Sequence, residues 1–494
     1  MRSALQAARL VAALALVVPA AAARAEAPRR SIDLAPCQLA PPASAARVAA
    51  RCGTLEVPED RGRPGGRRIA LRVAVVAAEA ARPEPDPVYV LAGGPGQAAT
   101  ELYASLAPAF ARLRRQRDVV LVDQRGTGAS GKLACPDVPE PGRGRTLPEA
   151  EQRRRVAACA KALSERADLA QYGTDAFVRD LDEVRAALGH PQVNLVGFSY
   201  GTRAALVYLR TFPDRVRTLV LDGVAPLELA VGGHMEEDAQ AALDAVLARC
   251  RAEAACHARF PALDGAVGAL LARLEARPEK LLVRDPLTSA QRERTFDADD
   301  LRRVVMAFTY QAESAALLPP LLDGAAKGDL APLASALAIL SGDFEAAVAR
   351  PLQFSVLCAE DVPFIEDAPP DADRARYLGR QVRDEFRRVC AEWPVRPMPA
   401  AWRTPVRAKV PALLLSGAAD PVTPPRWGEL AAKDLEGARH VVLPGQGHGV
   451  FMRGCLPRLA ARFVEQGTAS GLDVSCAARS VPAPLFIDAM GGVP

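Results

Sequence analysis

Three residues of this chain have types and surroundings that suit nucleophilic chemistry carried out together: Ser199, Asp420 and His448. Ser199 lies in Gly197-Phe198-Ser199-Tyr200-Gly201, and a nucleophile presented on a tight strand-to-helix turn needs small neighbours at both flanking positions. A serine hydroxyl at its ordinary pKa is a poor nucleophile and needs a base, itself held by an acid. His448 sits in Gly445-Gln446-Gly447-His448-Gly449, a glycine loop that is a poor setting for a packed core histidine. The chain has five histidines. His190 closes a helix, His234 and His257 fall in a helical region and His440 begins a strand, so each rival has a sufficient structural role and His448 is the predicted base. Asp420, in Ser416-Gly-Ala-Ala-Asp420-Pro-Val-Thr-Pro424, follows a strand where a carboxylate can be aimed at an imidazole, although Asp before Pro is also a turn former. Gly93-Gly94-Pro95-Gly96 offers a backbone amide to a developing oxyanion, with Gly94 the favoured donor and Tyr200 N–H the second; a plain glycine turn has the same composition. The chemistry is acyl transfer through a covalent serine intermediate, with no metal or organic cofactor implied.

Each of these residues is expected at the end of a strand. Short apolar runs at 88–92, 119–123, 193–198, 218–222, 412–416 and 440–443 end in turns, several of them glycine-bearing, as buried parallel strands do. Helical spacing over 174–188 and 202–211 brackets the run before Ser199, and 51–60 and 68–78 read as early strands. Alternating strands and helices imply an α/β fold with a mostly parallel central sheet and helices on both faces. From 225 to about 402 the pattern becomes helical and proline-punctuated, with alanine-rich stretches at 236–260 and 316–349, far too long for a connecting loop. The expected organisation is a core over 26–228, an inserted helical cap over 229–402 and a second core part over 403–494.

The 494 residues are half hydrophobic and 24% charged, ordinary for a folded enzyme. Residues 1–25 read as a secretory signal peptide: Arg2 and Arg9, an apolar run too short to span a bilayer, then Ala23-Arg24-Ala25. Cleavage there removes three arginines and lowers the formal charge from +4 to +1, and the short clusters at 112–117 and 153–155 read as solvated helix faces, so nucleic acid is not an expected partner. Ten cysteines fall as neighbours, and in an oxidising compartment the simplest pairing is Cys37–Cys52, Cys135–Cys159, Cys250–Cys256, Cys358–Cys390 and Cys455–Cys476. The expected location is periplasmic or secreted, without membrane attachment after cleavage; the oligomeric state stays open. Gly126-Thr-Gly128-Ala-Ser-Gly131-Lys132 imitates a phosphate loop, but Leu133 replaces the required hydroxyl residue and Cys135-Pro136 replaces a helix start, so a structural turn is expected.

Gly93-Gly-Pro-Gly96, Asp123-Gln-Arg-Gly-Thr-Gly128, Gly197-Phe-Ser-Tyr-Gly-Thr202, Ala419-Asp-Pro-Val-Thr-Pro424 and Gly447-His448 together resemble the prolyl and tripeptidyl aminopeptidase family of α/β-hydrolases. Cys52-Gly-Thr-Leu-Glu-Val-Pro-Glu-Asp60 is similar to its exported tripeptidyl branch, and Ala92, where prolyl aminopeptidases carry histidine, fits that branch better. The resemblance implies the chain order Ser, Asp, His for the triad and cap acids that hold the substrate's free amino terminus. Cys358-Ala-Glu360-Asp361 looks like that position, with Glu360 the first candidate and Asp361 the second; solvated acids beside a disulfide are the alternative. The implied activity is an aminopeptidase acting on peptides. The runner-up is a carboxylesterase or other small-acyl hydrolase with the same triad. A noncatalytic binding protein is disfavoured because all three triad positions are filled.

Overall fold

The strands β1 (Ala35–Leu39), β2 (Val48–Pro58), β3 (Arg68–Val76), β4 (Val88–Leu91), β5 (Val119–Val122), β6 (Val193–Phe198), β7 (Val216–Asp222), β10 (Ala412–Gly417) and β11 (Arg439–Leu443) build one sheet in the order β1-β2-β3-β5-β4-β6-β7-β10-β11. The computed structural model describes residues 31–41, 46–135, 148–284, 289–367, 376–488 and 491–492. The expected signal peptide, 1–25, lies outside these residues. From β5 to β11 every neighbouring pair is parallel, whereas β1, β2 and β3 run antiparallel to one another and β3 antiparallel to β5. All four residues of β4 and of β5 are buried, the signature of strands covered on both faces.

The period-two alternation of the strands divides the core into two layers. Tyr89, Leu91, Val120 and Leu195 pack with helices Thr174–Ala187 and Tyr200–Thr211 on one face. Val88, Val90, Leu121 and Val196 pack with helices Ala99–Leu106 and Leu456–Gln466 on the other. β1 was not expected; Cys37 is bonded to Cys52 of β2, which pins this short edge strand to the sheet. The remaining cysteines are joined as Cys135–Cys159, Cys250–Cys256, Cys358–Cys390 and Cys455–Cys476.

Between β7 and β10 the described elements include helices Met235–Ala252, Ala266–Ala276, Ala298–Thr309, Leu318–Ala326 and Ala331–Ala347, which share a hydrophobic core of their own. The expected all-helical cap needs one correction: β8 (Glu279–Arg284) and β9 (Gln291–Phe296) form an antiparallel hairpin. Its residues are mostly exposed, and it packs on the helices through Val283 and Phe296. Helices Arg350–Glu360 and Gln381–Glu392 instead join the core of the main sheet, through Leu352, Cys358 and Val389. Among the described residues no helix is long and apolar enough to cross a membrane.

The loop that imitates a phosphate site is a closed turn. Gly126 N–H donates to Ser130 O at 2.9 Å and Leu133 N–H returns to Gly126 O at 3.0 Å. Its preceding residue, Arg125, is fully buried and donates to both oxygens of Asp180 at 2.7 Å and to the carbonyls of Glu59 and Gln171 at 2.8 Å. That guanidinium fastens the end of the early β2 segment to the helical layer.

Candidate active site

Strands β4, β6, β7, β10 and β11 are successive neighbours, so the loops leaving them share one edge of the sheet. Ser199 follows β6, Asp222 ends β7, and Asp420 and His448 follow β10 and β11. Parallel pairing therefore gathers residues more than 200 positions apart without any special contact.

At Ser199 the chain turns from β6 directly into helix Tyr200–Thr211 with φ 53° and ψ −121°, a positive-φ conformation that L-residues rarely adopt. The helix begins two residues earlier than the apolar spacing suggested. Close backbone approach sustains the turn: a Cβ on Gly197 would lie 2.5 Å from the Gly201 carbonyl, and one on Gly201 would collide with the Leu91 carbonyl of β4. Ser199 N–H donates to Asp222 O at 2.8 Å. Gly94 and Tyr200 line the cleft beside Ser199. Tyr200 is the first helical residue, so its amide has no intrahelical acceptor.

His448 Nδ1 lies 2.8 Å from Asp420 Oδ2. The aspartate is buried and well held: Oδ1 accepts Val422 N–H at 2.9 Å and Thr423 N–H at 2.8 Å, and Oδ2 accepts the Thr423 hydroxyl at 2.9 Å. That hydroxyl also lies 3.1 Å from His448 Nδ1. Burial opposes protonation of His448, but the Asp420 carboxylate, reinforced by its hydrogen bond and by Asp222, outweighs it and raises the imidazole above its ordinary value. Asp222 is a component that reading the sequence did not single out. Burial pushes its carboxyl up to about 6, against the hydrogen bonds that it accepts from Val450 and Phe451 N–H at 2.9 Å. Its only sequence signal is an acid closing a strand before Gly223, which any turn would share.

The structure separates Glu360 from Asp361. Asp361 lines the cleft with Ser199, whereas Glu360 is not among the residues that line it. Glu360 Oε1 accepts Thr174 N–H at 2.7 Å and Oε2 accepts the Thr174 hydroxyl at 2.7 Å. Thr174 Oγ1 is 2.8 Å from the Tyr200 hydroxyl, which accepts from Gln124 Nε2 at 3.2 Å, so Glu360 ends a buried relay behind the serine turn. Burial raises its carboxyl to about 7 despite the nearby Arg203 charge. Asp361 Oδ1 pairs with Arg203 Nη1 at 2.7 Å and accepts Val231 N–H at 2.8 Å, while Oδ2 is buried with no hydrogen-bond partner. A second cleft acid, Asp238, accepts Trp427 Nε1–H at 3.1 Å and pairs with Arg426 at 2.6 Å; burial raises it to about 6. In sequence it was indistinguishable from an acid placed to suit a helix N-terminus.

A model of the α/β hydrolase fold family matches residues 86–454. The chain is 26% identical over 482 residues to the serine protease Hip1 of Mycobacterium tuberculosis, covering 90% of this chain and 91% of that protein. It is 34% identical over 188 residues to the tripeptidyl aminopeptidase of Streptomyces coelicolor, 35% of each chain. To carboxylesterase B of Mycobacterium tuberculosis it is 29% identical over 470 residues, 87% of this chain and 86% of that one.

Proposed function

The chain belongs to the α/β hydrolase fold family, and we propose that it is an exported serine aminopeptidase that releases short amino-terminal fragments, a single residue to a tripeptide, through an acyl-enzyme on Ser199. One observation carries the peptide reading: Asp361, whose Oδ2 is a buried carboxylate oxygen without a hydrogen-bond partner, is among the residues that line the cleft of Ser199. An unsatisfied buried acceptor costs free energy that a bound ammonium recovers. Similarity to a serine protease and a tripeptidyl aminopeptidase supports the same reading. Five disulfides and the Ala23-Arg24-Ala25 pattern support export.

In this mechanism His448 takes the Ser199 proton as the hydroxyl attacks the carbonyl carbon, and Asp420 steadies the imidazolium that forms. The Gly94 and Tyr200 amides stabilise the tetrahedral oxyanion. Its collapse breaks the amide bond, the leaving amine takes the proton from His448, and water activated by the same histidine then releases the fragment. Asp361 takes the role of first choice for holding the substrate's amino terminus, with Glu360 behind it on Thr174. The second reading, ester hydrolysis by the same residues, draws on the similarity to a carboxylesterase over most of the chain.

Matched chromogenic amides with free and acetylated amino termini separate the two readings. Blocking the amine is expected to lower kcat/KM about 10- to 100-fold, the equivalent of a charge-assisted hydrogen bond of about 1.5–3 kcal/mol. Asp361→Asn should remove most of that preference while a fluorophosphonate still labels Ser199. Equal turnover of blocked and free substrates, with faster cleavage of simple esters, would favour the esterase.

A further inference from the structure

Both main-chain polar groups of His448 are bonded to the inserted cap and not to the catalytic core. Its N–H donates to Tyr310 O at 2.7 Å, and its carbonyl accepts from Gln311 Nε2 at 2.8 Å. Tyr310 and Gln311 directly follow helix Ala298–Thr309, and the Tyr310 ring meets the imidazole edge-on with centroids 5.4 Å apart. The loop is closed around this contact: a Cβ on Gly447 would collide with the Tyr310 carbonyl. Gln311 is itself oriented, because its Oε1 accepts from Arg453 Nη2 at 2.6 Å, and the same guanidinium grips Glu313. The carboxamide donates to one carbonyl and accepts from a guanidinium at once, which an ionised carboxylate of the same length could not do.

We infer that Gln311, an exposed cap residue, is a positioning residue for His448, holding the base in its attacking position from the cap side. This rests on reading His448 as the general base. Asp420 fixes only the Nδ1 side of the ring; the histidine's Cα, and with it the aim of Nε2, is set by the two cap bonds. Loss of the Gln311 bond leaves the ring paired with Asp420 but free to swing, and small misplacements of a reacting group are costly.

The test compares Gln311→Ala, Gln311→Glu and His448→Ala in the full chain, using a free-amine chromogenic amide and a small fluorophosphonate that fits Ser199 without reaching the cap. Gln311→Glu keeps the length and the acceptor for Arg453 but removes the donor. Both Gln311 variants are expected to lose about 10- to 100-fold in kcat, with KM within about twofold, and to slow fluorophosphonate inactivation by the same factor. Thermal midpoints should stay at the wild-type value, since the position is exposed. Wild-type kcat and inactivation rates in Gln311→Glu would overturn the inference, as would a loss that tracks a fall in thermal midpoint. His448→Ala distinguishes the premise: undiminished hydrolysis there refutes the base assignment itself, whereas an inactive His448→Ala beside a fully active Gln311→Glu refutes only the role of the cap.

Discussion

Asp222 ties Ser199 to the histidine loop, since its carbonyl holds the Ser199 amide while its carboxylate holds the amides of Val450 and Phe451. Asparagine has the same shape but only one acceptor oxygen, so in Asp222→Asn one of those two buried amides must face an N–H group. The expected cost is about 1–3 kcal/mol of stability. The second effect is electrostatic. His448 is raised by Asp420 and, to a smaller extent, by Asp222, and in the proposed mechanism it must be neutral to act as a base, so activity is expected to fall as pH drops through its raised value. Removing the Asp222 charge lets His448 lose its proton at lower pH, and the acid limb of kcat/KM should move down. A pH profile measured on both proteins checks this, and an unmoved limb would leave Asp222 with a mechanical role alone. Ser199 and His448 stood out in the sequence because their glycine neighbours suit few other purposes. Glu360 and Asp361 were not separable, because adjacent residues at the end of a helix project about 100° apart and sequence does not say which direction faces the cleft.

Among the elements, the strand-turn-helix around Ser199 is the most tightly specified. Its helix packs so close to β4 that Gly201 leaves no space below the Leu91 carbonyl. Gly201→Ala is therefore expected to push the helix off the sheet and displace the Tyr200 amide, lowering fluorophosphonate labelling by about 100-fold or more, comparable to losing an oxyanion donor, and leaving less soluble protein. Labelling rate and soluble yield read this directly; normal labelling by a soluble variant would mean that the turn tolerates more than its geometry suggests. The strands bearing the site were readable because they are short, carry runs of apolar residues and end at turns. β8 and β9 were not, since Gln291-Arg-Glu-Arg-Thr-Phe296 carries too few apolar residues to display a period, and β1 is a short edge strand of five residues.

At the level of the whole molecule, the catalytic loops are held from both sides. Ala349 N–H donates to Gly96 O at 2.9 Å beside the glycine-rich loop, Arg203 of the serine helix pairs with Asp361, and Phe486 N–H of the C-terminal tail donates to Ala316 O at 2.9 Å in the cap. The first two bonds fasten residues 349–361 to the loops and helix that surround Ser199, so in the proposed mechanism what positions Asp361 should control substrate affinity. Cys358–Cys390 joins helices Arg350–Glu360 and Gln381–Glu392 across 32 residues, three positions before Asp361. Cys455–Cys476 closes 21 residues at the helix Leu456–Gln466 on the opposite face of the sheet from the serine helix. On chain entropy alone, their loss costs about 4 and 3 kcal/mol. Replacing either pair by serines should therefore lower the thermal midpoint to a similar extent. Only Cys358→Ser/Cys390→Ser should also raise KM for free-amine substrates, because the helix end carrying Asp361 loses its anchor while Ser199 and His448 keep theirs. Kinetics on both double variants at a temperature where each is folded decide the matter: an equal rise in KM for the two, or none for either, would mean that the disulfide stabilises its pair of helices without setting the position of Asp361.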